Sequence, residues 1–540
     1  MKKALIILSV FIAIFLCGVV DNTSAENDAF YKYEYLDDGS VRITKYKGDS
    51  NKITVPAKID GADVSQIGDC AFAEGEKPSQ IVSVNLPDTV RIIGKSAFGW
   101  CEKLKSIKLP KNLVEIDDFA FNNCYKLSNI SLPASVTKLG INPFVGCRSL
   151  KIKLSPEQKA FNTSGGMLYT EDGMLISYTG NKSTATIKPG TTAIGACAFS
   201  GHGKLKKINI PDTVLEIQSQ AFEFCTELQS INFPESLTSI GEHAFLGCSS
   251  LSTVELPINI KNISGNPFAI CENIKAFVVP ENHPVLTSLD GVLYKKDGTL
   301  VSYPSGNGNT YTVPSGVFAI GDEAFCACQS LTEIHLPNTL TKIGKLSFRS
   351  CNNLTKIDLP DSLEELGDQA FSSCISLKDI HLSKNIKQIS YLCFDSCQNL
   401  TRIDIPEGVH SIGNSAFQAC FNLSEINIPE TVTEIGQNAF NSCMSLSSIK
   451  LPSKIISIHP YTFTYCNSLE ELRIPDGVLE IGEWAFEGCD RLKTLYIPAS
   501  VTAIGERAFG LTNPNLTLIT PVGSFAESYA KANDINVRSE

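Results

Sequence analysis

The chain has 540 residues, of which 43% are hydrophobic and 19% are charged, and its formal net charge is −11 at pH 7. An acidic chain without a run of basic residues is a poor candidate for binding nucleic acid or an anionic lipid surface. Composition therefore excludes two common classes of partner before any motif is considered.

The first 25 residues differ from the rest of the chain. Lys2 and Lys3 precede an uncharged, mostly apolar run at 4–20, and small residues at 23–25 suit a signal peptidase. This pattern predicts a cleaved secretory signal at 1–25 and a secreted or cell-surface protein. An uncleaved membrane anchor is the alternative, although a run of this length is at the short end for a span.

The main feature of the chain is a phenylalanine that returns every 23 residues. In the C-terminal part it recurs without insertion or deletion at Phe325, Phe348, Phe371, Phe394, Phe417, Phe440, Phe463, Phe486 and Phe509. The same frame fits eight earlier residues and gives about 17 coils, with phenylalanine at 72, 98, 121, 144, 199, 222, 245 and 268. A fixed period of this length predicts a solenoid, in which stacking of the coils supplies the core.

Within one coil the pattern indicates a short strand and a tight corner. The best-formed coils read I-G-x-x-A-F-x-x-C-x-x-L-x-x-I-x-L-P, as at 435–452. Ile449 and Leu451 alternate with polar residues, which predicts a strand with its apolar side inward, ended by a proline that cannot donate to a ladder. We expect the glycine to adopt positive φ at the corner. The repeat phenylalanine should be buried as a filling layer.

Two interruptions, between Phe144 and Phe199 and between Phe268 and Phe325, each add about 33 residues to the period. Both contain Asp-Gly between apolar segments, and a third copy of this pattern lies at 31–48. Asp-Gly in that setting is a strong hairpin signal. Hairpins should lie at the edge of the stack, where the first would cover an exposed end strand.

Tyr178 and Tyr303 occupy matching places in two of these hairpins. We expect them to pack within the hairpins and not to contact a ligand. The sequence thus predicts the following segments: a signal peptide at 1–25, an N-terminal hairpin cap at 26–52, repeat modules at 53–153, 191–280 and 317–520, hairpin insertions at 154–190 and 281–316, and a C-terminal cap at 521–540.

The repeat unit resembles that of the BspA-like, or treponemal-type, leucine-rich repeat family. The resemblance rests on the motif given above and covers roughly residues 53–520. It implies a leucine-rich repeat solenoid, a right-handed superhelix with a concave parallel β-sheet and short helical or irregular segments on the other sides. It also implies a bacterial surface or secreted protein that binds or adheres. Residues 521–537 resemble the terminal cap of the family, a short helix and one last strand.

Cysteine follows the repeat phenylalanine by three residues in most coils. One cysteine per coil at a fixed phase predicts a packing position at a corner. Disulfides are the alternative in a secreted chain, but parallel Cβ directions in neighbouring coils make the required torsion awkward. Four cysteines elsewhere are expected to be exposed thiols, at 70, 197, 326 and 393. The fourteen cysteines that follow a repeat phenylalanine by three residues are called the cysteine ladder here. They stand at 101, 124, 147, 225, 248, 271, 328, 351, 374, 397, 420, 443, 466 and 489.

Residues 8 and 10 places after each phenylalanine should face solvent on the strand. The first column alternates in charge and reads Glu333, Lys356, Asp379, Arg402 and Glu425. It predicts either a salt-bridge ladder that fixes the register or a partner-binding surface. We expect partner contact on coils 325–490, with Lys356, Arg402 and Arg473 as the main contributors because arginine is enriched at such sites.

The second column is a weak candidate for a metal site. It reads His335, Asp358, His381 and Asp404. Alternating imidazole and carboxylate groups could hold a divalent metal between coils. Ordinary hydrogen bonds are the alternative, and no third strong ligand converges on the column.

No motif for catalysis is present in the sequence: it contains no phosphate-binding loop, nucleophile elbow, H-E-x-x-H or calcium loop. We therefore expect a non-enzymatic binding protein without a cofactor, whose partner is an extracellular protein or glycan of host matrix or of another cell. A structural envelope or spacer scaffold is the alternative. An enzyme would need an unrecognised site at a module junction.

Overall fold

A computed structural model describes residues 30–73 and 80–540, so the predicted signal peptide lies outside the described residues. The chain divides into two compact units. The first comprises the described residues up to Leu251 together with Glu255–Phe268, and the second comprises Ser252–Val254 and Ala269–Glu540. Each unit is a parallel β-solenoid of stacked coils, as the sequence predicts.

The described residues form about 21 coils, which is roughly similar to the 17 marked by repeat phenylalanines. The only helix among the described residues is Phe525–Ala532, capped by the Ser524 hydroxyl, which accepts a hydrogen bond from the Glu527 N–H. No helix in this part of the chain has the length and apolar character needed to cross a membrane.

A short strand before the proline position forms what we call the front sheet in each unit. Neighbouring strands are parallel and shifted by one repeat, so that Glu333 pairs with Lys356 and Lys356 with Asp379. The middle residue is buried and its two neighbours are exposed, which confirms the predicted period of two. The front strands are Lys52–Thr54, Ser83–Asn85, Ser106–Lys108, Asn129–Leu132, Lys151–Leu154, Thr184–Thr186, Lys207–Asn209, Thr253–Glu255, Ala276–Val278, Thr310–Thr312, Glu333–His335, Lys356–Asp358, Asp379–His381, Arg402–Asp404, Glu425–Asn427, Glu471–Arg473, Thr494–Tyr496, Thr517–Thr520 and Asn536–Ser539.

A second strand of two residues lies directly before the glycine position, and these strands form the side sheet of each unit. Two residues are too few to show an alternation, so the sequence did not predict them. The side strands are Ile92–Ile93, Glu115–Ile116, Lys138–Leu139, Ala193–Ile194, Glu216–Ile217, Ser239–Ile240, Asn262–Ile263, Ala319–Ile320, Lys342–Ile343, Glu365–Leu366, Gln388–Ile389, Ser411–Ile412, Glu434–Ile435, Ser457–Ile458, Glu480–Ile481 and Ala503–Ile504.

Antiparallel hairpins form at the three Asp-Gly positions, as predicted, with Gly39, Gly173 and Gly298 at positive φ in the turns. The last strand of each hairpin group pairs in parallel with a following side strand, so the hairpins extend the side sheets. The antiparallel strands are Tyr31–Tyr35, Val41–Tyr46, Lys58–Ile59, Ala62–Ile67, Phe161–Ser164, Met167–Thr170, Met174–Tyr178, Leu286–Leu289, Val292–Lys295 and Thr299–Ser302.

The repeat phenylalanines stack ring on ring inside the coils. Centroids of successive rings are 4.9–5.9 Å apart and their planes differ by 16° or less, in two columns of the first unit and one of the second. Each column begins on a hairpin tyrosine, Tyr46, Tyr178 or Tyr303, whose ring lies 5.0–5.4 Å from the first phenylalanine. Tyr178 and Tyr303 are buried, so they serve as packing residues.

The glycine before Ala-Phe does not adopt the expected positive φ. A Cβ built on Gly436 would lie 2.4 Å from Asn414 Oδ1 and 2.6 Å from its nitrogen, in the preceding coil. On Gly367 it would lie 2.5 Å from the carbonyl carbon of Gly344. The expectation was wrong because the glycine allows a close approach between coils and not an unusual dihedral angle.

Positive φ occurs instead two places before and after the repeat phenylalanine, in most coils at residues other than glycine. Around Phe98 these are Ser96, with φ 50°, and Trp100, with φ 60°. The N–H groups of these three residues donate to carbonyls of the next coil at 2.8–2.9 Å. These hydrogen bonds between coils offset the cost of a sparsely populated backbone conformation.

The ladder cysteines are free thiols, each exposed by 2% or less. In twelve coils the Sγ donates to the phenylalanine carbonyl of the preceding coil at 3.0–3.4 Å, as from Cys374 to Phe348. That carbonyl also accepts the N–H of Cys351 in its own coil at 3.1 Å. The thiol therefore completes the pairing of a buried carbonyl, and burial raises the pKa of Cys374 to about 12.

Exposure of the cysteines outside the ladder was predicted wrongly. Cys197, Cys326 and Cys393 are free but buried, and burial raises the pKa of each thiol. The reason is clearest at Cys393, which takes the place of the alanine beside Phe394 and therefore points into the core. Cys70 is half-buried and is not a free thiol.

Replacing Phe417 by Ala should destabilise the second unit by about 3–5 kcal/mol, because a fully buried ring is removed from the middle of a stack. Denaturant unfolding, together with hydrogen exchange in the coils around the substitution, measures the effect. Phe318→Ala is the matched control because that ring is half exposed. Equal losses from the two variants would contradict the stacked core.

The ladder cysteines should resist alkylation in the native chain and react only after denaturation. All of these thiols are buried, and at Cys351 and Cys374 burial raises the pKa, so that little thiolate forms at mildly alkaline pH. Mass spectrometry of iodoacetamide-treated protein, with and without guanidinium chloride, gives the answer. The same behaviour is expected of Cys197, Cys326 and Cys393. Native labelling of Cys374, or disulfide-linked ladder peptides, would contradict the packing role.

Candidate binding face on the front sheet

The front strands of the second unit place two side chains of every coil outside the core. Ile334 and Ile357 are buried in the middle of their strands, and alternation along a strand turns both neighbours outward. All the residues predicted as partner or metal contacts are exposed. They are Glu333, His335, Lys356, Asp358, Asp379, His381, Arg402, Asp404, Glu425 and Arg473.

Two ion pairs of this face join residues of the same strand. His335 Nε2 lies 3.4 Å from Glu333 Oε1, and Lys356 Nζ lies 3.2 Å from Asp358 Oδ2. Neither connects neighbouring coils, although the sequence pattern suggested pairs between coils. All four side chains are more than half exposed, so each pair adds little to stability.

Arg402 makes both kinds of contact. Its guanidinium lies 3.2 Å from Asp404 Oδ1 in the same strand and 3.0 Å from Glu425 Oε1 in the next coil. The Asn427 amide also donates to Asp404. The Asn427 and Arg402 hydrogen bonds lower the pKa of Asp404, and the bond to Asp404 raises the pKa of Arg402.

Arg473 has an aromatic partner. Its guanidinium carbon lies 4.2 Å from the centre of the Tyr496 ring, one coil further on. This is a cation–π contact at an exposed site. Lys356, Arg402 and Arg473, which the sequence suggested as the main partner contacts, therefore all have partners within the chain.

The weak metal-site prediction gains no support from this geometry. Asp358 is bonded to Lys356, and Asp404 is bonded to Arg402 and Asn427. Among residues 30–73 and 80–540, no group of three or more His, Cys, Asp or Glu side chains is placed to hold a metal ion.

Shallow grooves run between neighbouring front strands, and no periodic pattern in the sequence predicts them. One of about 380 Å³ lies between Glu333–His335 and Lys356–Asp358. A larger one of about 570 Å³ lies between Asp379–His381 and Arg402–Asp404. One sequence signal lies beside the larger groove: Ser383 stands where the neighbouring coils have proline.

Several bacterial repeat proteins are among the solved structures that resemble this chain. A leucine rich cell surface protein from Faecalibacterium prausnitzii is 28% identical, with 79% of this chain and 94% of that one covered and a TM-score of 0.39. A leucine-rich repeat protein from Eubacterium ventriosum is 18% identical, covering 91% and 95%, with a TM-score of 0.42. The pneumococcal vaccine antigen PcpA is 17% identical, covering 96% and 98%, with a TM-score of 0.28.

No curated protein gives a significant match to the sequence. The family model described as BspA type Leucine rich repeat region matches in six copies, over residues 51–170, 175–290, 302–420 and 387–517. These segments include most of the chain and all the front strands of the candidate binding face. The chain therefore belongs to the BspA-type leucine-rich repeat family.

Proposed function

We propose that this chain is a secreted or cell-surface, non-enzymatic binding protein that adheres to an extracellular protein or glycan through the front sheet of its second unit. The observation that carries this proposal is the row of outward side chains from Glu333 to Arg473 on strands of fixed register. Export rests on the sequence of residues 1–25.

The front sheet suits a large, preformed contact surface. Its backbone is fixed by pairing between coils, so little conformational entropy is lost when a partner binds. A stable complex needs about 800 Å² per partner, which several adjacent coils can provide. The proposed contact residues are Glu333, Lys356, Asp379, Arg402, Glu425 and Arg473.

Catalysis has no support in the family assignment, since the matching family is a repeat scaffold and indicates no enzyme class. A structural spacer remains the second candidate, and one observation favours it. Two cations of the front face are neutralised within the chain, Lys356 by Asp358 and Arg402 by Glu425. A test must therefore change the pattern of charge and keep the pairs.

Exchanging the partners of two front-face ion pairs should weaken binding about tenfold, which corresponds to 1.4 kcal/mol. The variant combines Lys356→Asp, Asp358→Lys, Arg402→Glu and Glu425→Arg, so that each pair can still form with its direction reversed. Solid-phase binding of the purified chain to immobilised basement-membrane extract and to mucin measures the affinity. Binding should also weaken as salt is raised.

The control exchanges Lys342→Glu and Glu365→Lys, whose side chains lie 2.8 Å apart on the side sheet of the same unit. It should bind like the unmodified chain. If neither probe is bound, or if the front-face variant binds as well as this control with an unchanged circular dichroism spectrum, the adhesive function is rejected and the spacer is favoured.

A further inference from the structure

The coil between Phe371 and Phe394 departs from the repeat at two positions. Ser383 stands where the neighbouring coils have Pro360 and Pro406. Ser390 stands at the glycine position of the repeat. Both substitutions affect places where the coil approaches its neighbours.

Ser390 adds a side chain where space between coils is short. A Cβ on the equivalent Gly367 or Gly413 would lie 2.5 or 2.9 Å from backbone carbon of the preceding coil. The Ser390 hydroxyl donates to the Leu366 carbonyl. In the described chain the side strands Glu365–Leu366 and Gln388–Ile389 belong to separate sheets, so the ladder is interrupted at this coil.

The front sheet is interrupted at the same coil. Asp379–His381 ends a four-stranded sheet, and Arg402–Asp404 begins the next sheet of the described chain. The groove of about 570 Å³ lies between these two strands. Its volume is in the range of about 300–1,000 Å³ that is typical of small-ligand pockets.

The charges that line this groove are not all neutralised. Lys384 Nζ lies 2.7 Å from Asp361 Oδ2, and Arg402 is held by Asp404 and Glu425 in the contacts described above. The side chains of Asp379 and His381, by contrast, make no hydrogen bond or ion pair with any described residue. The groove thus presents one carboxylate without a counter-ion, beside an imidazole.

We propose that this groove receives a basic side chain, arginine or lysine, of a protein partner, with the Asp379 carboxylate as its acceptor. The inference rests on the proposed function and specifies the chemistry of its partner. Charge-assisted hydrogen bonds to a carboxylate are among the stronger ones, and a guanidinium can make two in parallel. The imidazole of His381 lies on the same strand, and an imidazole nitrogen that carries no proton can accept a second hydrogen bond.

The Asp379 carboxylate differs from the cations that the sequence predicts as the main partner contacts. Lys356, Arg402 and Arg473 were expected to dominate the contact with a partner, but each is occupied within the chain. Breaking such a pair to bind a partner would cost part of the interaction gained. The unpaired Asp379 carries no such cost.

The test uses the full chain and three small probes: Nα-acetyl-arginine methylamide, its lysine counterpart and its uncharged citrulline counterpart. Ligand-observed NMR titration should show weak, saturable binding of a basic probe and none of the citrulline probe. Asp379→Asn should weaken binding of the basic probe about tenfold, the loss expected for one charge-assisted hydrogen bond. Asp358→Asn is the matched control, because this exposed carboxylate on the adjacent strand is already paired with Lys356.

Equal binding of the citrulline probe, failure of both basic probes to bind, or equal behaviour of the two Asn variants would overturn the groove proposal. The proposed function is judged separately, by binding of the unmodified chain to basement-membrane extract and mucin. If the basic probes bind through Asp379 and the extract and mucin do not bind, the groove stands and the adhesive function falls. If the chain binds either material and Asp379→Asn leaves probe binding unchanged, the groove alone fails.

Discussion

Hydrogen bonding between neighbouring coils is the constraint on which the rest of the structure depends. It acts in the front sheet, in the side sheet and at the residues of positive φ around each repeat phenylalanine. To satisfy all three sets, each coil must follow its neighbour at one distance and in one register. The stacked phenylalanine rings fill the interior between coils at this spacing, and the cysteine thiols donate hydrogen bonds to buried carbonyl groups there.

That constraint explains both the regularity of the binding face and its local exception. Because the register is fixed, residues from successive coils align in columns, and the pattern of exposed charge along the front sheet follows directly from the sequence of the repeat. At the coil that carries Ser383 and Ser390 both ladders are interrupted, and the groove of about 570 Å³ lies between the front strands Asp379–His381 and Arg402–Asp404.

The exposed charged side chains of the front sheet have two different roles, and their contacts distinguish them. Arg402 connects two coils through Glu425, and Arg473 covers Tyr496, so both help to order the face itself. Asp379 is exposed on the same face, but its carboxylate has no hydrogen-bond or ion-pair partner among the described residues. A charged side chain that is paired within the chain helps to hold its neighbours in place. A charged side chain without such a partner can bind a ligand without first breaking a contact.

The sequence alone determined the repeat, the buried phenylalanines, the alternating front strand and the hairpin turns, because each depends on spacing along the chain. It also placed the charged columns on the exposed side. Features that depend on the distances between coils could be seen only in the tertiary structure. Those distances explain why Gly436 must be glycine, why Cys393 is buried, and why Lys356 pairs with Asp358 in its own strand. The groove beside Asp379 also depends on the spacing of two coils, and no periodic pattern in the sequence predicts it.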